Sequence, residues 1–572
     1  MRTLRRPMAL GPVFWPVTAA LLAYLGAVQL LAAWQESNIG DEPLELAAGY
    51  SYLKTGDFRM NPEHPPLAKI VEALPLLALH PSLPLDSASW TRADEAGFGY
   101  RFFEQNSRSM DTLLFSARLM PILLTACLGL AIALWTRHVF GPGAALLALT
   151  LYAFDPTVAA HGHYVKNDLP VTLFCFLAVI AWCAFLTRPG LRRLALAGVT
   201  LGLAVATKFS ALFLLPVLAI LYAIRWWQGQ KELSVRHAIG SLVAAVALAA
   251  GVVFLLYGAF AWTHGVRLGG IDARLCRDLL DRDQARAMAR LVSRGMPRVH
   301  PFFEGLLVYI DHNTVGHQAY LLGMRGTPGW WYYFPVAFAV KTPAATLMTI
   351  ALGGVLLLGR IRRVRLRSVA FPWFAFAVPA LIFFAFSMCS HLDIGIRHLL
   401  PIWPFVFILA AAAVTRVRFR YRPAVVALLV AGLAAESLLI CPHYLAFFNV
   451  LAGGPAHGPT ILADSNIDWG QDARNLAAWL QGHHVSQVCP DYWGTADIGR
   501  LGVHGPSLPA TWETDRRATL DCMGAISTNI LYDAFSNPRQ HQWLRALHPV
   551  ARVGYSIYIY DLRRTGVLPP AE

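Results

Sequence analysis

Carboxylates, histidines and cations gather in this chain at the ends of apolar runs. The first group, Asn38-Ile39-Gly40-Asp41-Glu42-Pro43, follows the first apolar run; the second, Asn61-Pro62-Glu63-His64-Pro65-Pro66-Leu67-Ala68-Lys69, leads into the apolar stretch 70–80, which reads as a helix lying in a lipid interface. A third, His161-Gly162-His163-Tyr164-Val165-Lys166-Asn167-Asp168, opens another apolar run. Lys208, Lys341, Arg397 and His398 sit in or beside further apolar stretches. Ionisable groups at membrane depth are costly, and are candidates for function by default. Asp311-His312-Asn313 and Gly316-His317 can reach over such a site from a long loop.

One chemistry asks for negative and positive groups together at headgroup level. A sugar carried on a long-chain lipid phosphate presents its phosphate there. Basic side chains bind that phosphate and stabilise it as a leaving group, and a carboxylate takes the proton of the attacking hydroxyl. In this reading Asp41, Glu42 and Asp168 are the catalytic candidates. His64, Lys69, Lys208, Lys341, Arg397 and His398 are the candidates for the donor phosphate. Glu63, His64 and His312 can hold a divalent metal cation, the candidate cofactor, although the sequence does not force one. Asp464, Asp468 and Asp472 are candidates for an acceptor or cation site in the tail. Each has a plain structural alternative: Asp and Glu suit helix caps and first turns, and a lysine near a span end can snorkel.

The elements that position these residues are membrane helices. Of 572 residues 56% are hydrophobic and 14% charged, too few charges for a soluble protein of this size. The apolar run at about 8–34 reads as a retained first span rather than a signal peptide. Further spans are expected at 112–135, 143–160, 168–187, 193–207, 209–226, 238–262, 331–358, 370–388, 398–414 and 424–441, about eleven transmembrane helices in all. The net charge of +14 is topological rather than the footprint of a nucleic-acid partner. Arginine-rich loops, such as Arg360 to Arg367 and Arg416 to Arg422, alternate with loops that carry few cations. That alternation puts the N-terminus in the cytoplasm and the long loops 35–111 and 263–330 outside, in a multi-pass protein of the inner (plasma) membrane. The second long loop is expected to hold amphipathic helices near 272–294 and 302–324.

The expected division is a membrane domain, 1–441, and an extracytoplasmic soluble α/β domain, 442–572, with a helix near 471–481, strands near 485–489 and 524–530, and a β-rich finish at Tyr555–Tyr560. Eight cysteines show no metal-binding spacing, and Cys489 and Cys522 can be a disulfide or two free thiols.

The ordered set of motifs resembles the GT-C membrane glycosyltransferases that use polyprenyl-phosphate sugars. It is similar to the protein O-mannosyltransferase-like family and its bacterial phospholipid carrier-dependent members. The resemblance rests on Asp41-Glu42, Glu63-His64-Pro65-Pro66, Asn167-Asp168, Thr207-Lys208, Gly329-Trp330-Trp331-Tyr332-Tyr333-Phe334, Lys341-Thr342-Pro343, Ile394 to Pro401 and Asp464-Ser465-Asn466-Ile467-Asp468-Trp469-Gly470-Gln471-Asp472. It implies an α-helical polytopic GT-C-like fold and an inverting transfer from a polyprenyl-phosphate-linked sugar to an extracytoplasmic acceptor (lipid, glycan or protein) among membrane lipids. It also implies that Asp41 is the base or an acceptor-orienting group, that Asp168 lies near donor or acceptor, and that Glu63 and His64 stand where relatives carry a Glu-Lys pair near metal and phosphate. Two other readings remain at this stage: a transporter or flippase of a lipid-linked or anionic solute, and an inactive scaffold presenting the tail. Against the transporter, the sequence shows no repeated halves.

Overall fold

The computed structural model describes residues 11–230, 232–264, 300–361, 366–416, 420–508, 521–532, 534 and 541–563. The expected helix at 272–294 lies outside these residues.

Among the described residues eight helices are long and apolar enough to cross a membrane: Gly11–Gln35, Met110–Phe140, Asp168–Thr187, Phe209–Trp227, Val235–Gly258, Phe371–Met388, Ile396–Arg416 and Arg422–Ile440. The segment expected at 331–358 is a bent pair, Tyr333–Lys341 and Ala344–Gly359, meeting at 110°. The two remaining expected spans are the short helices Pro142–Ala153 and Leu191–Val205. At 1.5 Å per residue these rise only about 18 and 22 Å, short of a hydrocarbon core about 30 Å thick. The far end of the first explains its length: Asp155 caps a new helix, Pro156–His161, by accepting from the Val158 N–H at 3.0 Å, and Pro156 starts it.

Asp168–Thr187 and Ile396–Arg416 are the most deeply packed spans. Asp168–Thr187 is apolar around its whole circumference, which suits the middle of a bundle. Its Trp182 indole donates to the Leu218 carbonyl at 3.0 Å. The bend at Thr342-Pro343 frees the first N–H groups of the second half-helix. The Glu436 carboxylate, from another span, accepts from Ala344 and Ala345 at 3.2 and 3.4 Å.

The expected helix at 302–324 is half right. A helix runs His300–Val315, but Gly316 at φ +80° turns the chain, and Ala319–Leu321 (β1) and Met324–Gly326 (β2) form an antiparallel hairpin. The tail folds on a four-stranded sheet with Val488–Asp491 (β3), Met523–Ser527 (β4), Ala551–Val553 (β5) and Ile557–Asp561 (β6) in the order β3-β4-β6-β5. Only β3 and β4 are parallel; Ile526 pairs with Tyr558 in the antiparallel β4–β6 ladder. Alternation sorts the faces. Met523, Ala525, Ile557 and Ile559 pack with Leu476 and Leu480 of the helix Ala473–Gly482. Ile526, Tyr558 and Tyr560 pack on the other side with Leu531 and Leu544. Cys489 and Cys522 form a disulfide between β3 and the approach to β4. The residues just before this sheet, including Tyr444, Phe448, Leu462 and Trp469, belong to the core of the membrane helices.

Candidate active site

The first loop is fixed by a buried ion pair. Arg118, in the span Met110–Phe140, is wholly buried and donates to both oxygens of Glu42 at 2.6 and 2.8 Å. Its remaining N–H groups go to the carbonyls of Ala33, Glu36 and Ser37. The Glu42 carboxylate also accepts the backbone N–H of Ile39 and of Val165, at 3.0 and 3.1 Å. This corrects the catalytic expectation for Glu42, which is absent from the cavity described below. Glu42 instead joins two loops at adjacent positions, so that its neighbour Asp41 meets Val165's neighbour Lys166. The Lys166 ammonium lies 2.5 Å from Asp41 and 3.2 Å from Glu45, which is one helical turn after Asp41.

Asp41 also receives support from the tail. Gly40 donates to the Trp469 carbonyl and Ser37 to that of Gln471. Asp41 stands at the N-cap of the helix Glu42–Thr55 with no capping bond from its side chain, which is 34% exposed and faces the cavity. Burial works to raise its carboxyl pKa, but the Lys166 and Arg397 charges outweigh burial and hold it below the ordinary value.

Asp168 opens the buried helix Asp168–Thr187 and lies 2.5 Å from the Lys208 ammonium and 3.5 Å from the Arg397 guanidinium. Arg397 also reaches to 3.9 Å from Asp41, donates from Nε to the Ser465 hydroxyl at 3.2 Å, and stacks on Trp469 with its carbon 4.4 Å from the ring centre. Asp41, Asp168, Lys166, Lys208, Arg397 and His398 all line one cavity of about 450 Å³. Val171, Phe334, Phe383, Phe386 and Pro401 give it an apolar side. Glu45, Glu63, His64, Glu95, His312 and Asp464 complete much of its polar lining.

Two expected phosphate ligands are elsewhere. Lys69 is buried, and its ammonium donates to the carbonyls of Asn61 and His64 and to the Asn61 side chain at 2.6–2.9 Å. All three of its N–H groups are thus spent on the loop. Burial pushes its pKa down to about 8. Its helix approaches so closely that a Cβ on Gly49 would lie 2.1 Å from the Lys69 carbonyl. Lys341 is also buried and donates to the carbonyls of Leu445 and Asn466 at 2.8 and 2.6 Å. Asn466 in turn accepts from the Ile396 N–H, beside Arg397. Lys341 therefore acts on the cavity through Asn466 rather than by touching its contents. Lys341→Met leaves two buried carbonyls without that donor and should cost about 1–3 kcal/mol of stability. Thermal unfolding of the detergent-solubilised protein checks this; an unchanged midpoint would show that the clamp is dispensable.

The metal candidates separate as well. Glu63 accepts from His312 at 2.7 Å, whereas His64 lies 3.9 Å from Glu45. The bond to Glu63 is the main reason the His312 pKa is raised; burial and neighbouring lysines lower that of His64 well below its ordinary value. Among the described residues no three His, Cys, Asp or Glu side chains converge as metal ligands. The described residues do not make a closed metal site.

Of the tail aspartates, Asp464 lines the cavity, at φ +60°, and burial pushes its carboxyl up to about 7 against the pull of Arg397. Asp468 accepts from the N–H groups of Gly470 and Asn529. Asp472 accepts from Gln471, Asn475 and Ser556. Neither lines the cavity.

Sequence reasoning passed over Lys166, Glu45, Glu95 and Arg118. Lys166 stood inside a motif already singled out, Glu45 lies four residues after Asp41, and Arg118 is a charge in an apolar run. For Glu95 no signal was available.

Residues 48–268 match the family described as dolichyl-phosphate-mannose-protein mannosyltransferase. No curated protein shows a significant match to the chain. Among solved structures the chain is similar to ArnT from Cupriavidus metallidurans bound to undecaprenyl phosphate, with 13% identity, 98% of this chain and 100% of that one covered, and a TM-score of 0.47. It is similar to the archaeal oligosaccharyltransferase AglB from Archaeoglobus fulgidus, in complex with an inhibitory peptide and a dolichol-phosphate, with 13% identity, coverage of 74% and 56%, and a TM-score of 0.45. The protein O-mannosyltransferase Pmt1-Pmt2 complex of S. cerevisiae, bound to the sugar donor, gives 21% identity, coverage of 49% and 38%, and a TM-score of 0.34. Asp41 and Arg397 lie outside the matched stretch, which supplies Glu63, His64, Lys166, Asp168 and Lys208: residues 48–268 of this multi-span membrane protein are similar to the dolichyl-phosphate-mannose-protein mannosyltransferase family.

Proposed function

We propose that this chain is a glycosyltransferase that moves a monosaccharide from a polyprenyl phosphate to a hydroxyl of an acceptor on the extracytoplasmic face, with inversion at the anomeric carbon. The observation that carries the reading is the single cavity in which Asp41 faces Lys166 and Arg397 while Lys208, Arg397 and His398 gather around Asp168. The family description, which names a mannose carried on dolichyl phosphate, supports a lipid-phosphate donor. The alternation of arginine-rich loops along the sequence supports the orientation.

The donor phosphate sits against Arg397 and Lys208, with the polyprenyl chain along the apolar lining at Phe383 and Phe386. Arg397 suits this role. It has five N–H donors, and its carboxylate contacts, at 3.5 and 3.9 Å, are long enough to yield to a phosphate. The acceptor hydroxyl attacks the anomeric carbon from the face opposite the phosphate. Its oxygen forms the new glycosidic bond and its proton passes to the Asp41 carboxylate. The bond from the anomeric carbon to the phosphate oxygen breaks, and its electron pair leaves with the polyprenyl phosphate, where the cations stabilise the charge. Lys166 keeps Asp41 ionised and ready to take the proton.

The test is binding of undecaprenyl phosphate to the purified full chain. Arg397→Ala should weaken binding at least about tenfold, as expected when a charge-assisted contact is lost. Undiminished affinity in both Arg397→Ala and Lys208→Ala would remove the phosphate site.

A further inference from the structure

The acids that line the cavity are not equivalent. Asp41 is paired with Lys166 at 2.5 Å, Asp168 with Lys208 at 2.5 Å and Glu63 with His312 at 2.7 Å. Glu45 gives one oxygen to Lys166 at 3.2 Å, while its Oε2, buried, has no hydrogen-bond partner. Glu95 lines the same cavity, and no ion pair or hydrogen bond holds its carboxylate among the described residues. A buried carboxylate oxygen without a partner, such as Glu45 Oε2, asks for an explanation.

Asp41 stands 2.5 Å from Lys166 and 3.9 Å from Arg397, and Arg397 reaches on to Asp168 and its partner Lys208. The helix that Glu95 opens packs against the helix that Asp41 caps, and Glu95 lines the same cavity. With a phosphate at the cations and the reacting carbon at Asp41, the saccharide shares that cavity with Glu95.

The position of Glu95 is built rather than incidental. It opens the helix Glu95–Gln105, whose N-terminus is capped by the Asp94 side chain accepting from Gly97 at 3.0 Å. Phe98 and Phe102 bury one face of this helix. Gly99 packs so tightly on the helix that follows Asp41 that a Cβ there would lie 2.8 Å from the Pro43 carbonyl carbon. Glu95 and Asp41 are thus held in fixed relation.

We propose that Glu95, with the free oxygen of Glu45, is the subsite that hydrogen-bonds the hydroxyl groups of the donor saccharide and so selects a sugar-bearing over a bare lipid phosphate. This rests on the transferase reading above. Burial pushes the Glu95 carboxyl up to about 7 despite nearby Lys69, so the group can donate as well as accept a hydrogen bond near neutrality.

The test compares the affinity of the solubilised full chain for undecaprenyl phosphate with that for undecaprenyl phosphates bearing glucose, mannose or galactose. The parent protein should prefer at least one sugar ester over the bare lipid by about tenfold. Glu95→Ala should abolish that preference and leave affinity for the bare lipid unchanged, and Glu95→Gln, which keeps an acceptor oxygen, should retain part of it. Bare-lipid binding also reports that each variant is folded. The subsite is overturned by a preference that survives Glu95→Ala, by an equal loss for bare and sugar-bearing lipids, or by a parent protein with no preference for any of the three. Failure of the bare lipid to bind the parent protein would instead overturn the transferase reading, and the subsite with it.

Discussion

Asp41→Asn should lower the rate of sugar transfer by about 10²–10⁴, the usual contribution of a positioned general base. The amide keeps the size of the side chain but cannot take the acceptor proton. It also removes the negative charge that faces Lys166 at 2.5 Å and Arg397 at 3.9 Å. Donor affinity should therefore be unchanged or slightly tighter, because both cations gain freedom to meet a phosphate. The loss should appear in kcat and not in the binding of undecaprenyl phosphate. Asp168→Asn should show the reverse emphasis. Asp168 contacts Lys208 and Arg397, so its charge sets where those cations sit, and the variant should alter donor binding first. Near-normal turnover in Asp41→Asn would remove this residue as base. The pH dependence follows in sign: with its pKa held below the ordinary carboxylate value, Asp41 stays ionised at neutrality, and loss of activity from its protonation is confined to acid below that value.

Arg118→Ala should be the most destabilising single change considered. The guanidinium is wholly buried and serves Glu42 and three carbonyls. Removing it strands a buried carboxylate with two backbone N–H groups as its remaining support. Breaking a buried pair from one side costs about 3–5 kcal/mol. The double variant Arg118→Met with Glu42→Gln removes both charges and should be more stable than Arg118→Ala. It should still lose activity, because Glu42 is what brings Asp41 to Lys166. Thermal unfolding and transfer rate measured on the same preparations separate the two effects. An active, stable Arg118→Ala protein would show that the pair does not position the loop.

The architecture was largely legible because the bilayer imposes a length on apolar runs: every expected span is helical, although the one at 331–358 is a bent pair and the one at 143–160 ends at Ala153. Length alone could not tell which short helices cross, nor that Thr342-Pro343 would bend one segment through 110°. The tail strands were legible from their alternation, as at Ile557–Asp561, whereas the three-residue strands of the 319–326 hairpin carry too little pattern to read. At the site, Asp41, Asp168, Lys208, Arg397 and His398 line one cavity. Glu42, Lys69, Lys341, Asp468 and Asp472 have the right residue types and the wrong surroundings. Each is saturated by protein groups, mostly backbone, that spacing does not reveal. A lysine that closes on three carbonyls and a lysine that opens to a cavity look alike until the chain is folded. Glu42 had a sequence-level clue in Arg118, since a charge inside an apolar span needs a buried partner.

The most direct measurement is a structure of the full chain determined with undecaprenyl phosphate in lipid nanodiscs. The expected result is density for the phosphate within hydrogen-bonding distance of Arg397 or Lys208, in the cavity that Asp41 faces, with the polyprenyl chain leaving past Phe383 and Phe386. A phosphate bound elsewhere, with Asp41 and Asp168 facing no part of the lipid, would contradict the joint assignment of base and leaving-group site.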